Sequence, residues 1–550
     1  MARWWLVVLM LAGLAVLASS GWADNAQLKY RWLFIFRDLT KPEEVDRTIA
    51  LLPGAAADGY TGLVLSWHIA SQKVEQLKAE AAKYKLDLIP TVMGGVSDPN
   101  MAEGLPVKDA AFIAHNGKAT LVPDPQASLA GGDFENAQND RFAGWETQEA
   151  PGKCTFQDRK VAHDGQASVR MENFDQASKG SGCYVAQTVK VKPFHQYRVS
   201  VWAKTDQLKC EAADINIRGL GNNWHGLSFV QTEIQPTQDW KQIFVVFNSL
   251  DNTEVSIAFG IWNGASGRIW WDDAKLEEVP LLNVLRRPGT PVVVRGENGT
   301  VYEEGRDYAP IKDPNFHVWL VGHGPPAIQL TPNSRIAEGQ RLLVSYYHPV
   351  LIEYGAATCL SEPRVFDLYR EEIKQANDLL HPPAFFMSHD EIRLANWCET
   401  CQSKHTTPGQ LLAENVRRCA EIIKAIRPDA KIWVWSDMFD PYHNAHNNYY
   451  LVNGTWAGSW EGLPKEVGIA NWAVHLKGRN LDWFSMLGHE QVLCGYYDDK
   501  ADVKGDGMKA WLKAGDGIPG IVGAMYTTWQ PNYDAMDAWA KNVWGGSKAK

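Results

Sequence analysis

Phe385-Phe386-Met387-Ser388-His389-Asp390-Glu391 is a short apolar run that ends in two adjacent carboxylates. The apolar part predicts a buried strand, and in a parallel α/β architecture side chains meet their ligand at the carboxyl ends of the strands. Neighbouring carboxylates raise the pKa of one of the two, because like charges disfavour full ionisation. A carboxyl group with a raised pKa is suited to general acid catalysis. The plainer alternative is an acidic pair that caps the next helix.

Strand-like and helix-like segments alternate in both terminal parts of the chain. Eight strand–helix units with short connections predict an α/β fold, a (β/α)8 TIM barrel. An open doubly wound sheet is the alternative, although the sequence contains no glycine-rich phosphate loop to favour it. The predicted strands are Trp32–Phe36, Gly62–Trp67, Leu86–Met93, the segment at Phe385, Ile432–Ser436, Ile469–Trp472, Val492–Tyr496 and Ile521–Trp529.

A different pattern interrupts the predicted barrel after its third strand. Short alternating strands such as Tyr197–Ala203 and Trp240–Phe247, with turn residues between them, predict a jelly-roll β-sandwich over residues 125–280. Residues 281–355 predict a small second β unit of unassigned function. The barrel then consists of residues 24–124 and 356–550. A packing or spacing domain without a ligand site is the alternative for the whole insertion.

The composition favours a carbohydrate ligand and argues against nucleic acid. The chain has 550 residues, enough for two or three domains, and a net charge of -10 without a basic cluster. It also contains 24 Trp. Indole rings stack on the C–H faces of sugars, so we interpret this excess as favouring carbohydrate over tryptophans that only fill cores.

The N-terminus predicts a signal peptide over residues 1–23. Arg3 supplies the positive start, Leu6–Leu17 the apolar centre and Gly21-Trp22-Ala23 a cleavage site of mostly small residues. The mature chain is therefore expected to be secreted or periplasmic. No other segment is apolar enough to span a membrane.

Eight cysteines lie in the part predicted to be exported, so disulfides are permitted. Cys398 and Cys401, followed by His405, have the spacing of half a metal site. Because no second pair follows at the usual spacing, the sequence predicts a local disulfide or loop staple here and no metal site. Cys154 and Cys183 are candidates for a second bridge.

Three sequence segments of the insertion resemble those of jelly-roll carbohydrate-binding modules. They are Gly132–Asn136, Tyr197–Lys204 and Ile269–Asp273. The resemblance implies an oligosaccharide or polysaccharide partner. It also implies a structural calcium ion in the sandwich, with Glu135 and Asp273 as candidate ligands, and no other cofactor is expected.

The sequence motifs at the ends of the barrel strands, taken in chain order, resemble those of the family 20 glycoside hydrolases, the β-N-acetylhexosaminidases. In that family an Asp-Glu pair ends strand four and a Trp follows the Glu by six residues, as Asp390, Glu391 and Trp397 do here. Trp435–Asp440 is similar to the strand-five phrase of the family. Other positions that match the family are Arg37 at strand one, Tyr496 or Tyr497 at strand seven and Trp529 at strand eight.

The resemblance implies a retaining, substrate-assisted mechanism, in which the 2-acetamido oxygen of the substrate attacks the anomeric carbon. Asp390 would orient and polarise the acetamide N–H. Glu391 would protonate the leaving oxygen and then deprotonate water. Trp67 and His68 lie at the end of strand two, where a buried, hydrogen-bonded histidine is the alternative for His68. The residues expected to bind sugar are Arg37, Trp67, His68, Trp435, Asp437, Trp472, Tyr496, Tyr497 and Trp529.

The expected function is thus that of a secreted glycoside hydrolase removing β-linked N-acetylglucosamine or N-acetylgalactosamine from glycans. A conventional retaining glycosidase acting on a polysaccharide, with Asp498 or Asp499 as nucleophile, is the first alternative. A non-catalytic glycan-binding protein that keeps the barrel as a scaffold is the second.

Overall fold

The computed structural model describes residues 28–66, 73–96, 98–177, 182–221, 226–353, 355–476, 478–498 and 506–545. Eight parallel strands form a closed barrel, and their order around the barrel is their order along the chain. The third and fourth strands are neighbours although the insertion separates them in sequence. The barrel strands are Tyr30–Ile35, Gly62–Leu65, Asp87–Val92, Ala384–Met387, Lys431–Trp435, Val467–Asn471, Gln491–Tyr496 and Ile521–Thr527.

Helices follow the first four and the last three barrel strands. Between strands five and six, the fully described segment 436–466 has short 3-10 turns and the strand Leu451–Val452 instead of the predicted helix. This segment is rich in Asn, Gly and Pro, which favour turns over helix. The α-helices are Pro42–Ile49, Leu52–Ala57, Val74–Lys83, Pro363–Leu380, Glu399–Gln402, Pro408–Ile426, Arg479–Leu487, Asp506–Ala514 and Met536–Trp544.

The fourth barrel strand shows why an uninterrupted apolar run was informative. All four residues of Ala384–Met387 are buried. Phe386 pairs with Thr91 and Met387 with Val92 of the third strand. A strand covered on both faces needs apolar side chains at successive positions, which is the pattern of parallel sheets.

The chain divides into two compact units. The first unit comprises residues up to Pro90, Pro382–Ala384 and residues from Lys465 onward. The second unit comprises Thr91–His381 and Phe385–Pro464. The insertion and both candidate catalytic carboxylates therefore lie in the second unit.

Most of the insertion is a sandwich of two antiparallel sheets. Side chains alternate between the inside and the outside along each strand, and the inward set forms a core that includes Val199, Val245, Ile257 and Phe259. One sheet has the order Gln238–Asn248, Gln196–Lys209, Ser266–Glu278, Ser168–Met171 and Thr155–Asp158. The other has the order Ala212–Gly219, Glu254–Trp262, Cys183–Lys190 and Thr147–Gln148.

A six-stranded sheet forms the small second β unit. It includes Leu105–His115 and Lys118–Leu121, which the sequence analysis assigned to the first part of the barrel. The alternation of buried Val107, Phe112 and Ala114 with exposed neighbours suits a sheet covered on one face. The order is Val301–Tyr302, Val293–Gly296, Arg341–His348, Leu105–His115, Lys118–Leu121 and Ile328–Gln329.

Short strand pairs connect the remaining segments. The pairs are Ala137–Gln138 with Arg141–Phe142, Phe229–Val230 with Ile352–Glu353, and Leu394–Ala395 with Leu451–Val452. None of the helices in the described ranges combines the length and the apolar character that a membrane crossing would need.

Candidate functional site

The backbone changes direction where the fourth barrel strand ends. His389 and Glu391 both have left-handed conformations, with φ of 63° and 43°. Such values are unfavourable for residues other than glycine and are retained where the surroundings hold them. Successive side chains of a regular strand point to opposite faces, so this distortion is what frees Asp390 and Glu391 from strict alternation.

Asp437 connects the two carboxylates to the fifth barrel strand. It begins a 3-10 turn directly after that strand and is fully buried. Its Oδ2 accepts hydrogen bonds from the backbone N–H of Glu391 (2.8 Å) and from Nδ2 of Asn444 (2.9 Å). The sequence predicted Asp437 as a sugar ligand, but its burial makes it a support for the Asp390–Glu391 turn.

The local electrostatics favour a protonated carboxyl group near neutral pH. Burial, followed by the negative charge of Asp437, raises the pKa of Asp390 to about 7. Burial also raises the pKa of Glu391, and the positive charge of Arg393 partly opposes that rise. The Glu391 side chain is 37% exposed, so a ligand can reach this carboxyl group, whereas Asp390 is more deeply buried.

Arg393 ties Glu391 to the insertion. Its Nη2 donates to Oε2 of Glu391 and lies 2.9 Å from Oε2 of Glu353. The guanidinium also lies over the ring of Tyr450, 5.2 Å from its centroid. The Tyr450 ring in turn contacts the ring of Phe229 in the insertion, with centroids 4.7 Å apart.

Sequence reasoning missed Arg393, Glu353 and Tyr450, and it interpreted Asn444 as part of a solvated polar loop after strand five. Arg393 stands two residues after Glu391, which was a usable signal for a charge partner. The others belong to the insertion or to the long segment after strand five. Only the folded chain brings them to the carboxylates.

Two predicted or matching tryptophans of the second unit have structural contacts. Trp435 is buried, and its ring meets Phe386 edge-on at 4.8 Å between centroids. Trp397 donates from Nε1 to the carbonyl of Leu451 (2.7 Å) and packs against the core of the sandwich. The loop that follows the carboxylates is therefore anchored on the insertion.

The first unit contains the remaining predicted sugar ligands. Arg37 follows the first barrel strand and its guanidinium covers the ring of Tyr533 at 4.7 Å. It lines a cavity of about 360 Å³ together with Glu44, whose carboxylate is 3.7 Å from its Nε. Trp67 and His68 lie outside the described residues.

The aromatic residues predicted at strands six to eight contact one another or their own barrel strands. Tyr496 is buried and stacks on Tyr526, with 4.4 Å between ring centroids. The hydroxyl of Tyr497 donates to the carbonyl of Cys494 (2.8 Å), and the Trp472 ring is 6.5 Å from the Tyr497 ring.

Trp529 is 40% exposed and is positioned by Asp498. The Asp498 carboxylate accepts hydrogen bonds from the hydroxyl of Thr528 and from the backbone N–H groups of Trp529 and Gln530. A carboxylate held by three donors serves as a turn anchor, which weakens its case as the nucleophile of the alternative mechanism. Asp499 lies outside the described residues.

The bonding state of the cysteine residues differs from the one predicted from the sequence. All eight are free thiols in the structure, so the predicted local disulfide between Cys398 and Cys401 is absent. The predicted bridge between Cys154 and Cys183 is also unformed, with the two sulfurs 2.9 Å apart. Cys359 and Glu103 join Cys398 and Cys401 in a buried group. Two further potential metal ligands, which the sequence near Cys398 and Cys401 lacks, are thus supplied from distant positions.

The outer face of the four-stranded sheet carries aromatic side chains next to a glycine. Tyr184 and Asp214 flank Gly260 on the central strand, and Trp262 follows Gly260 on the same face. Tyr184 and Trp262 are partly exposed. Burial raises the pKa of Asp214 to about 7.

The predicted calcium ligands contact protein groups instead of each other. Glu135 accepts from the backbone N–H groups of Gln166 (2.6 Å) and Ala167 (3.0 Å). Asp273 pairs with Nδ1 of His163 at 2.7 Å. Neither belongs to the one cluster of potential metal ligands found among the described residues.

Comparison with known proteins identifies one part of the chain. Residues 126–266 match the family model described as a carbohydrate binding domain. The chain therefore contains a carbohydrate-binding domain, which covers most of the predicted sandwich and indicates a glycan partner. No curated protein sequence matches the chain significantly.

Solved structures similar to the chain include carbohydrate-binding modules. A family 16 carbohydrate-binding module is 18% identical, covering 27% of this chain and 97% of its own, with a TM-score of 0.20. A family 4 module is 16% identical (27% and 99% coverage, TM-score 0.20). A xylan-binding domain from Paenibacillus barcinonensis is 11% identical (28% and 94% coverage, TM-score 0.19).

Proposed function

We propose that this chain is an exported glycoside hydrolase that removes β-linked 2-acetamido sugars from glycans by substrate-assisted catalysis. The observation that carries the proposal is the turn after the fourth barrel strand, where Asp390 and Glu391 stand together above the buried carboxylate of Asp437. The barrel is interpreted as a (β/α)8 barrel whose strand ends carry the site.

The electrostatics of this turn suit the proposed chemistry. The acetamide oxygen of the substrate forms a bond to the anomeric carbon while the bond to the leaving oxygen breaks. Glu391 gives its proton to the leaving oxygen, and Asp390 as carboxylate accepts a hydrogen bond from the acetamide N–H. Glu391 then takes a proton from the water that opens the cyclic intermediate. One proton shared by the pair is enough for this cycle.

The insertion contributes to the same site in this proposal. Glu353 and Phe229 reach Glu391 through Arg393 and Tyr450. A glycan bound to the carbohydrate-binding domain would therefore be held by the same insertion that orients Glu391, the proposed general acid. A conventional retaining mechanism receives less support, because Asp498 is engaged by three hydrogen bonds.

A panel of aryl β-glycosides tests the proposed function. We expect turnover of aryl 2-acetamido sugars and turnover of the matching 2-hydroxy sugars that is lower by about 10² or more, because only the amide supplies the internal nucleophile. Initial rates with the purified full-length chain measure this. Equal turnover of the plain glucoside would exclude the assisted mechanism, and no turnover of any glycoside would favour a binding protein.

The pH dependence of kcat/KM should have an upper limb near pH 7. The pair loses its last proton as the pH rises through the raised pKa of Asp390, about 7, and the general acid is then missing. Asp437→Asn removes the neighbouring negative charge, lowers the pKa of Asp390 and should move this limb to lower pH. Asp429→Asn, at an exposed position, is the control. A limb that moves upward in Asp437→Asn would contradict the assignment.

Glycan retention should depend on the outer face of the four-stranded sheet. Tyr184→Ala and Trp262→Ala are each expected to weaken polysaccharide binding about tenfold, because each removes an aromatic face that stacks on sugar. Affinity electrophoresis of the full-length chain in gels containing different β-glycans measures this. Trp240→Ala, on the other sheet of the sandwich, is the matched control. Retention unchanged in both Tyr184→Ala and Trp262→Ala would place the glycan elsewhere.

A further inference from the structure

A buried cluster of three cysteines and one glutamate lies behind the loop that follows Asp390 and Glu391. Glu103, Cys359, Cys398 and Cys401 are each no more than 1% exposed. Their potential ligand atoms all lie within 4.8 Å of one another. Burying three thiols and a carboxylate together costs free energy unless the four side chains bind a common cation, since buried charges in proteins are paired or bind metal.

The distances within the cluster are those of a tetrahedral metal site. The sulfur of Cys359 is 3.6 Å from that of Cys398 and 3.6 Å from that of Cys401. Zinc–sulfur bonds of about 2.3 Å at tetrahedral angles place neighbouring sulfurs about 3.8 Å apart. Oε2 of Glu103 is 3.4 Å and 3.6 Å from the sulfurs of Cys398 and Cys401. A zinc-bound carboxylate oxygen would be about 3.6 Å from each sulfur.

The carboxylate of Glu103 is already oriented for this role. Its Oε1 accepts hydrogen bonds from the backbone N–H groups of Trp397 and Cys398, both at 2.7 Å. Oε2 is thereby directed at the sulfurs. Outer hydrogen bonds that hold one carboxylate oxygen while the other faces the ion are typical of metal ligands.

The chemistry of the ligands selects the ion. Three thiolates favour a soft or borderline cation over calcium or magnesium, and four protein ligands leave no open coordination position. The positive charge of Arg287 offsets part of the negative charge of the cluster. Such a closed site is structural rather than catalytic.

We propose that Glu103, Cys359, Cys398 and Cys401 bind one structural zinc ion. The ion would join Glu103, which follows the third barrel strand, and Cys359, which precedes the helix Pro363–Leu380, to the short helix Glu399–Gln402. Ala102 and Thr358 form a β-bridge beside it. The thiols lose their protons to solvent on binding, so the affinity rises with pH. The proposal does not depend on the proposed hydrolase activity.

Metal analysis of the full-length chain, purified without chelators, tests the proposal. We expect elemental mass spectrometry to measure one zinc ion per chain. We also expect all eight cysteines to be alkylated in denaturant without a reducing agent. Cys359→Ser and Glu103→Gln should bind zinc at least about tenfold more weakly. Cys419→Ser, which changes a buried thiol outside the cluster, should keep the full zinc content.

Stripping the ion with a strong chelator should lower the Tm by about 5 °C or more, and added zinc should restore it. A disulfide joining any two of Cys359, Cys398 and Cys401 would overturn the proposal. So would less than about a tenth of an equivalent of zinc after dialysis against zinc. A stoichiometric metal other than zinc would overturn the assignment of the ion. The wild-type measurements decide the matter even if a variant fails to fold.

Discussion

Asp390→Asn is expected to lower kcat/KM for aryl 2-acetamido sugars by about 10²–10³, whatever the leaving group. The substitution keeps the size of the side chain and removes the negative charge that stabilises the acetamide as it becomes positively charged. Because the interaction strengthens only in the transition state, kcat should fall with little change in binding. Initial rates and inhibition by the 2-acetamido sugar product measure the two effects separately.

Glu391→Gln provides the contrast, since the two carboxylates are neighbours with different proposed roles. Its kcat/KM should fall by about 10²–10⁴ for poor leaving groups and by less than about tenfold for a dinitrophenyl leaving group, which needs no proton. The raised pKa of Asp390 makes the opposite assignment worth testing. If Asp390→Asn showed the dependence on leaving group and Glu391→Gln did not, the two roles would be exchanged. Glu371→Gln, in an exposed ion pair, is the control.

Arg287→Met is expected to lower the free energy of unfolding by about 3–5 kcal/mol. Arg287 and Glu362 form an ion pair at 3.3 Å with side chains only 1% and 5% exposed. Nη2 of Arg287 also donates to the carbonyl of Ala102 (2.9 Å). Truncating the arginine leaves the carboxylate of Glu362 buried without its partner. Urea denaturation followed by tryptophan fluorescence measures the loss.

The neighbouring residue supplies a matched control for this measurement. Arg286 pairs with Glu304 at 2.8 Å, but both side chains keep roughly a third of their exposure. Arg286→Met should therefore cost only about 0–1 kcal/mol. The double variant Arg287→Met with Glu362→Leu should recover part of the loss, because it removes both charges. Equal costs for Arg286→Met and Arg287→Met would show that burial does not govern this pair.

The barrel strands were predictable because their signals are local. An apolar run such as Phe385–Met387 needs only a few consecutive residues to indicate a buried parallel strand. The carbohydrate-binding domain was accessible for the same reason, since Tyr197–Lys204 and its neighbours carry a recognisable alternation. The edges of the insertion were harder to place. Leu105–His115 precedes the sandwich in sequence, yet it pairs with Arg341–His348, which follows it.

The candidate site was predictable only in part. Asp390 and Glu391 stand out because charged residues directly after a buried strand need a reason. Glu353, by contrast, reaches Arg393 only after two segments of the insertion pair with each other. Trp435 was predicted to face sugar because it is an aromatic residue at a strand end, and in the structure its ring is buried against Phe386. Sequence position alone does not tell which side of a strand end faces a ligand.

The amino-acid sequence by itself determined the eight strands, the place of the insertion and the acidic pair at the end of strand four. Each of these depends on side-chain chemistry within a few neighbouring residues. The tertiary structure decided the carboxylate beneath the pair, the arginine beside it and the cluster of Glu103, Cys359, Cys398 and Cys401. These groups come from positions up to about three hundred residues apart, and long-range contacts form only when whole sheets and helices pack. Local periodicity carries no record of that packing.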